Sequence, residues 1–232
     1  MSALVRAGMA GPSEQIAPGC IPMAPSALKL GPQEHVTLLH PRREKGMAAI
    51  ARAVGDEWKE QAIKLRDLPE AVKALEGEAD VYLSQQSFFG RRCIASLAQL
   101  AACFVDIDYH KVPDLQREVP EEVADQALWA LDDAEMPHPS AILSTGRGLL
   151  LLWLHEPVSR RALPRWGAVQ RHLWEVLKPL GADRGALDAA RVFRLAGTIN
   201  SKVARPVRLI WTDGLILPRS GGHPCYGFRA RR

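Results

Sequence analysis

The sequence predicts an α+β fold, in which helices cover one central sheet. Segments with a helical apolar period alternate with short apolar runs, and Gly- and Pro-containing turns separate them. The run at residues 102–108 loses its alternation and becomes continuously apolar, as a strand buried on both faces does. The longest apolar run, at 149–154, is also strand-sized.

Residues 1–33 are rich in Gly, Pro, Ala and Ser with no apolar period, and predict a disordered tail. Residues 36–39 predict a first strand, while 44–54 and 69–75 carry helical spacing. A short strand is expected at 80–84. The Ala- and Leu-rich stretch 94–102 reads as a helix or as a long approach to the strand 102–108. Pro120, Glu121 and Glu122 open a helix to about residue 135, since Pro suits a first helical turn and the helix dipole favours acids there. Residues 140–144 and 148–155 then form a strand pair around a turn, and a long helix spans 161–177. A loop leads past Arg194 to a turn with Gly197 and a strand at 206–211, and residues 214–232 form a basic tail. One folded domain, 34–213, is thus expected between two tails.

The chain has 232 residues, 47% of them hydrophobic and 24% charged, which is ordinary globular usage. A net charge of +4 permits a polyanionic partner without requiring one. Cys20, Cys93, Cys103 and Cys225 form no CxxC pair and have no His cluster beside them, which argues against a zinc site, and Cys93 and Cys103, in apolar stretches, read as buried, reduced thiols. No apolar run approaches the roughly 18 residues a membrane span needs. No secretory signal is visible, so cytoplasm is the expected location.

Three patterns carry possible chemistry. Asp106 and Asp108 stand at a strand end in i, i+2 spacing, which points both carboxylates to one side. Such a pair repels itself and is favoured by a bridging divalent cation, or else merely caps a loop. Ser144, Gly146, Arg147 and Gly148 form a small-residue turn whose backbone N–H groups and guanidinium suit an anion; a plain hairpin turn is the bland reading. Residues 188–202 gather Asp188, Arg191, Arg194, Asn200 and Lys202 among Val192, Phe193 and Leu195, either as a binding segment or as a solvated charged face. The tryptophans at 129, 153, 166 and 174 sit at core spacing. His110 and Lys111 follow the DxD closely and read as phosphate contacts or, at least as well, as a solvated loop; the tail arginines 229, 231 and 232 could contact DNA non-specifically, an exposed, inert terminus being the commoner case.

In this order, DxD after a strand, a GRG hairpin, a later Asp and then R-x-x-R-x-x-G-T-x-N-x-K resemble the archaeo-eukaryotic primase superfamily. The nearest resemblance is to the primases of plasmid and phage replication, and it covers residues 36–212, including DVYLSQQSFFGRR and FVDIDYHK. The resemblance implies an RRM-like catalytic half packed against an N-terminal α/β half, with the active site between them. It implies a metal-dependent nucleotidyltransferase that makes primers on single-stranded DNA from nucleoside triphosphates. Asp106, Asp108 and Asp188 would hold Mg²⁺ or Mn²⁺. Ser144, Gly146, Arg147, Gly148, Arg191, Arg194, Asn200 and Lys202 would hold nucleotide and phosphates. A replicative helicase or an initiator would be a partner. Many members carry a His shortly after the GRG, where this chain has only leucines, at 149–152. The alternatives are a catalytically silent primase-fold module that binds DNA or nucleotide, and a nuclease or relaxase using Tyr109, which lacks a His-x-His partner.

Overall fold

The computed structural model describes residues 30–40 and 45–213. The predicted tails, apart from residues 30–33, lie outside them, as do Cys20, Cys225 and the tail arginines. Pro32 lies in the first turn of α1 (Pro32–Leu39), and Leu30 is buried. Residues 36–39 are therefore helical instead of extended. Pro32, His35, Val36 and Leu39 are spaced as one helix face and all are buried, a pattern invisible when only the β-branched run after 35 is read.

Residues 47–54 reverse their Ala-based helical spacing. β1 (Met47–Val54) pairs along its whole length with β2 (Glu57–Lys64), and cross-strand pairing overrides a propensity worth less than about 1 kcal/mol per residue. β2 was not predicted, because EWKEQAIK is polar on both faces. A helix α2 (Leu68–Val72) with a following 3-10 turn occupies the predicted 69–75 segment. β3 (Val81–Ser84) and β4 (Ser87–Phe88) run beside β1 as one strand interrupted at Gln85 and Gln86. After a 3-10 turn at Ile94–Ser96 comes β5 (Leu97–Ile107), the long approach to the strand instead of a helix. α3 (Pro120–Asp133), β6 (Ala141–Ser144), β7 (Leu149–Ser159) and α4 (Leu163–Leu177) follow near their expected places. β8 (Val192–Arg194), the small hairpin of β9 (Ile199–Asn200) and β10 (Arg205–Pro206), and β11 (Arg208–Thr212) complete the described chain. No helix among the described residues is long and apolar enough to cross a membrane.

Apart from the separate β9–β10 hairpin, the strands form one antiparallel sheet that forks. β2, β1 and the β3–β4 strand lie in order, and beyond them β3 pairs with β8 while β4 pairs with β5. From β5 the sheet continues through β7 and β6 to β11. The β5–α3–β6–β7–α4 run ends in a single antiparallel bridge of Ala182 to Ile107. It is thus a βαββαβ unit whose last strand, on the open side of β5, has shrunk to that bridge. Two apolar cores match this division. One lies under α3, α4 and the β5–β7–β6 strands, the other where α1 and α2 cover one face of β1 and β3.

Where the fork opens, the outer edge of β5 has no full strand beside it, and its buried backbone groups still need partners. Gln86 Oε1 accepts from the Ala101 N–H and its Nε2 donates to the Ala102 carbonyl, each at 2.7 Å. The indole of Trp166 donates to that same carbonyl at 2.8 Å. Gln170 then accepts from the Phe104 N–H and donates to the Phe104 carbonyl, both at 2.9 Å. Further along, Asp183 N–H donates to the Asp106 carbonyl at 2.8 Å and Asp108 N–H to the Gly181 carbonyl at 2.9 Å.

Changing Gln170 to Leu keeps the volume but strands both Phe104 groups. It should cost about 2–5 kcal/mol and lower Tm by roughly 5–15 °C. Melting within a degree or two of wild type would show that the edge needs no amide. A second outcome concerns pH. His35 is wholly buried, its Nδ1 accepts from the Ala196 N–H at 3.0 Å, and burial together with the His40 charge pushes its pKa down to about 3. The folded state then binds fewer protons than the unfolded one, so this stability is complete above the ordinary value of 6.5 and is lost as pH falls toward about 3. Denaturant titrations from pH 7 to 4 should show a steeper loss for wild type than for His35→Gln; equal slopes would remove His35 from the acid response.

Candidate active site

A cleft of about 210 Å³ opens at the fork, walled by β3 and β8 on one side and by the end of β5 and the 144–148 hairpin on the other. Asp106, Asp108, Thr145, Arg147, Asp183, Arg191, Arg194, Asn200 and Lys202 line it, with Tyr82, Val192 and Phe193 as its apolar part.

Asp106 ends the apolar run of β5, opposite Leu150 of β7, which is fully buried. Burial first, then the charges of Asp108 and Asp183, push its carboxyl up to about 7; Lys111 and Arg191 oppose this. Asp108 follows the strand end. One of its oxygens pairs with Lys111 and the other lies 3.9 Å from His110 Nδ1, and Lys111 is held above its usual pKa by that hydrogen bond and charge. Asp183 arrives with the loop that bridges to Ile107, and its side chain accepts from the Gly185 N–H at 2.8 Å.

Asp188, expected as the third acid, does not line the cleft. Its carboxylate takes Arg191 Nε at 2.7 Å and the Ala190 N–H at 2.9 Å, the local role of an Asp closing a turn. Asp183, five residues earlier, stands where Asp188 was expected. Spacing alone could not separate the two, because the choice depends on which part of the loop docks on β5.

The hairpin and the basic segment meet through Asn200, which is buried. Its Nδ2 donates to the Thr145 carbonyl at 2.7 Å, and its Oδ1 accepts from the Lys202 N–H at 3.2 Å. Gly148 is required by close approach: a Cβ there would sit 2.7 Å from the Ile107 carbonyl oxygen, so the hairpin could not lie against the end of β5. Gly146 has φ +102°, and a Cβ would press on Val203 and Asn200. Ser144 is buried behind the turn, accepting from the Gly146 N–H at 3.5 Å. Ser144, Gly146 and Gly148 shape the loop and do not line the cleft, whereas Thr145 and Arg147 do.

The cations differ in how far they are committed. Arg194 is paired with Asp80 and its guanidinium lies 4.9 Å from the centre of the Tyr82 ring, so it is chiefly a strut. Asp80 also takes the Ser201 hydroxyl, and the hydrogen bonds from Ser201 and Arg194 outweigh burial to hold its pKa below the usual range. Arg191 is half committed, to Asp188. Among the described residues Arg147 and Lys202 have no acidic partner, which leaves their charge for an anion in the cleft. Asp183, Tyr82 and Thr145 were not singled out as site residues by the sequence.

No family model matches the chain. A replication protein of Clostridium perfringens is 32% identical over 195 residues, covering 80% of this chain and 44% of that protein. The chain therefore spans less than half the length of that relative. Among solved structures, the AEP domain of the cyanophage S-2L primase-polymerase is similar with a TM-score of 0.52 at 20% identity, over 78% of this chain and 88% of that one. The crystal structure of primase RepB′ has a TM-score of 0.47 at 15% identity, over 83% and 58% of the two chains.

Replacing Asn200 by Ala leaves the Thr145 carbonyl and the Lys202 N–H without their buried partner. The cost should be roughly 1–3 kcal/mol, with faster amide exchange confined to residues 145–148 and 200–203. Unchanged exchange at the hairpin would show that it is held by the β6–β7 pairing alone.

Proposed function

The chain has the catalytic-core fold of the archaeo-eukaryotic primases, and on that premise we propose that it is a metal-dependent DNA primase–polymerase. In this reading it transfers nucleotides from nucleoside triphosphates onto a primer on single-stranded DNA, in replication of plasmid or phage type. The observation that carries the reading is one cleft holding Asp106, Asp108 and Asp183 together with Arg147 and Lys202, two cations without an acidic partner among the described residues. Carboxylates and cations gathered in one cleft suit a triphosphate bridged to divalent ions.

The donor chemistry fits Mg²⁺ or Mn²⁺. All three acids offer hard oxygen ligands, and Asp106 is pushed toward its neutral form by burial and by the two other carboxylates, a cost that a divalent cation relieves. Among the described residues no three such side chains converge closely enough to hold an ion as they stand, and Asp108 is turned onto Lys111. When bound, a pair of such ions supplies the charge that activates a 3′-hydroxyl and steadies the leaving pyrophosphate. Asp106, Asp108 and Asp183 would hold them, with Asp183 taking the part first assigned to Asp188. Arg147 would grip phosphate oxygens with its guanidinium fork, and Lys202 and Arg191 would add charge. Asn200 keeps the hairpin that carries Arg147 in place. A replicative helicase or an initiator would act beside the chain.

A second reading, a silent module that binds DNA or nucleotide, is favoured by one observation. Where many primases have a His after the GRG, residues 149–152 are leucines, all fully buried, and Leu150 is the one opposite Asp106. None of the four lines the cleft, so none offers a polar group to a phosphate.

The test is primer synthesis on single-stranded DNA with Mg²⁺ or Mn²⁺ and labelled nucleotides. Asp106→Asn and Asp183→Asn should each lower synthesis by roughly 100-fold or more, while Asp188→Asn retains most of it. Arg147→Ala should raise the nucleotide KM by about 10- to 100-fold with little change in melting. Wild type that binds single-stranded DNA yet makes no product with either ion would select the silent module. Loss of synthesis in the Asp188 variant alone would return the third acid to that position.

A further inference from the structure

We propose that the ring of Trp58 is a stacking platform for an unpaired base of the template strand, at the outer end of a shelf that begins in the cleft. The inference rests on the primase reading and adds the path of the strand.

The observations begin with β2, a strand exposed at every position but Ile63. Trp58 is 49% exposed there, an unusual place for the largest apolar side chain. Pairing sets its direction. Trp58 lies opposite Ala53 and Tyr82 opposite Ala51, two positions apart on β1 and so on the same face of the sheet. Their rings meet with centroids 5.1 Å apart at 49°. Tyr82 in turn lies opposite Arg194, whose guanidinium covers its ring, and both line the acidic cleft. An unbroken surface therefore leads from the cleft over Arg194 and Tyr82 to Trp58. The other face of these strands is taken by α1 and α2, so the shelf lies on the face away from those helices, where Arg92 reaches Glu60 of β2.

The chemistry of the surface selects its occupant. Trp58 uses one side of its ring on Tyr82 and offers the rest to solvent. Glu57, Lys59 and Glu60 flank it on the strand, and Val54 is its exposed apolar neighbour at the hairpin end. That apolar area is too small for a protein interface, which buries about 800 Å² per partner. It suits the face of one base. A basic groove for phosphates beside an aromatic shelf for bases is how proteins hold single strands without reading sequence, and Arg147, Arg191 and Lys202 supply the groove here. The Asp80 carboxylate neutralises Arg194 at the start of the shelf, which leaves stacking as the main attraction along it.

The test measures binding of a labelled oligothymidylate by anisotropy in the presence of chelator, over a range of salt. Trp58→Ala should weaken binding by roughly 10-fold with the salt slope unchanged, because a stacked base is lost and no phosphate contact is. Trp58→Phe should keep affinity within about 3-fold of wild type. DNA should quench wild-type tryptophan fluorescence, and most of that quench should vanish in Trp58→Phe, a readout that does not depend on the Ala variant folding. The nucleotide KM should be unchanged in both variants, which separates a template base from the base of an incoming nucleotide. Affinity equal to wild type in Trp58→Ala, a full quench in Trp58→Phe, a flattened salt slope, or a raised nucleotide KM would each overturn the inference and leave the primase reading standing. Wild type without affinity for single-stranded DNA would instead overturn the primase reading, and this inference with it.

Discussion

A strand inside a sheet has two rows of backbone N–H and C=O groups to satisfy, and β5 finds a full strand for only one of them. Its other row is closed by the amides of Gln86 and Gln170, the Trp166 indole and the loop at 181–183. The rest of the structure depends on this substitution. Had a complete strand lain there, the sheet would be continuous and its two halves would meet without a gap. Because side chains do the work, β8 and β5 diverge from the β3–β4 strand and a cleft opens between them. The last group to close the edge is also the one that brings in Asp183, so the seal and the acidic wall are one feature.

The cleft is built around opposed charges held at different strengths. Its acids crowd one another, with Asp106 in an apolar strand facing Leu150 and its carboxyl raised to about 7. Several of the nearby cations are already spoken for: Arg194 by Asp80, Arg191 by Asp188, Lys111 by Asp108. The paired ones stiffen the walls, because a charge-assisted hydrogen bond fixes both partners. Arg147 and Lys202 keep their charge for whatever enters, and Asn200 ties the two segments that carry them. A rigid frame with a few free charges is what electrostatic catalysis and phosphate binding both require.

The division into halves also separates their duties. The βαββαβ half supplies Asp106, Asp108 and the hairpin, on strands packed into the larger core. The N-terminal half supplies the facing wall through Tyr82, with β8 returning to it late in the chain to bring Val192, Phe193 and Arg194. Phe193 packs edge-on to Phe104 of β5 at 5.0 Å, which joins the halves just below the cleft.

Much of this was determined by the sequence alone. The continuous apolar run of β5 ending in two acids, the leucine strand β7, the Gly-rich turn and the helix α3 with Pro and acids in its first turn each encode their structure locally, through period, turn chemistry and the helix dipole. The same local signals marked Arg147, Asn200 and Lys202 as candidates, but their place beside Asp106 and Asp108 followed from the resemblance to the primases, and neither said which cations are paired. Tertiary structure decided the rest. β1 became a strand because β2 pairs with it, against the helical leaning of its alanines, and β2 itself has no apolar period to read. The third acid was decided by docking: two Asp residues in one loop are equivalent by spacing, and only the bridge of Ala182 to Ile107 turns Asp183 inward while Asp188 is held by Arg191. Local sequence fixes what depends on neighbours in the chain; a contact between residues 75 positions apart is fixed by the packing of everything between them.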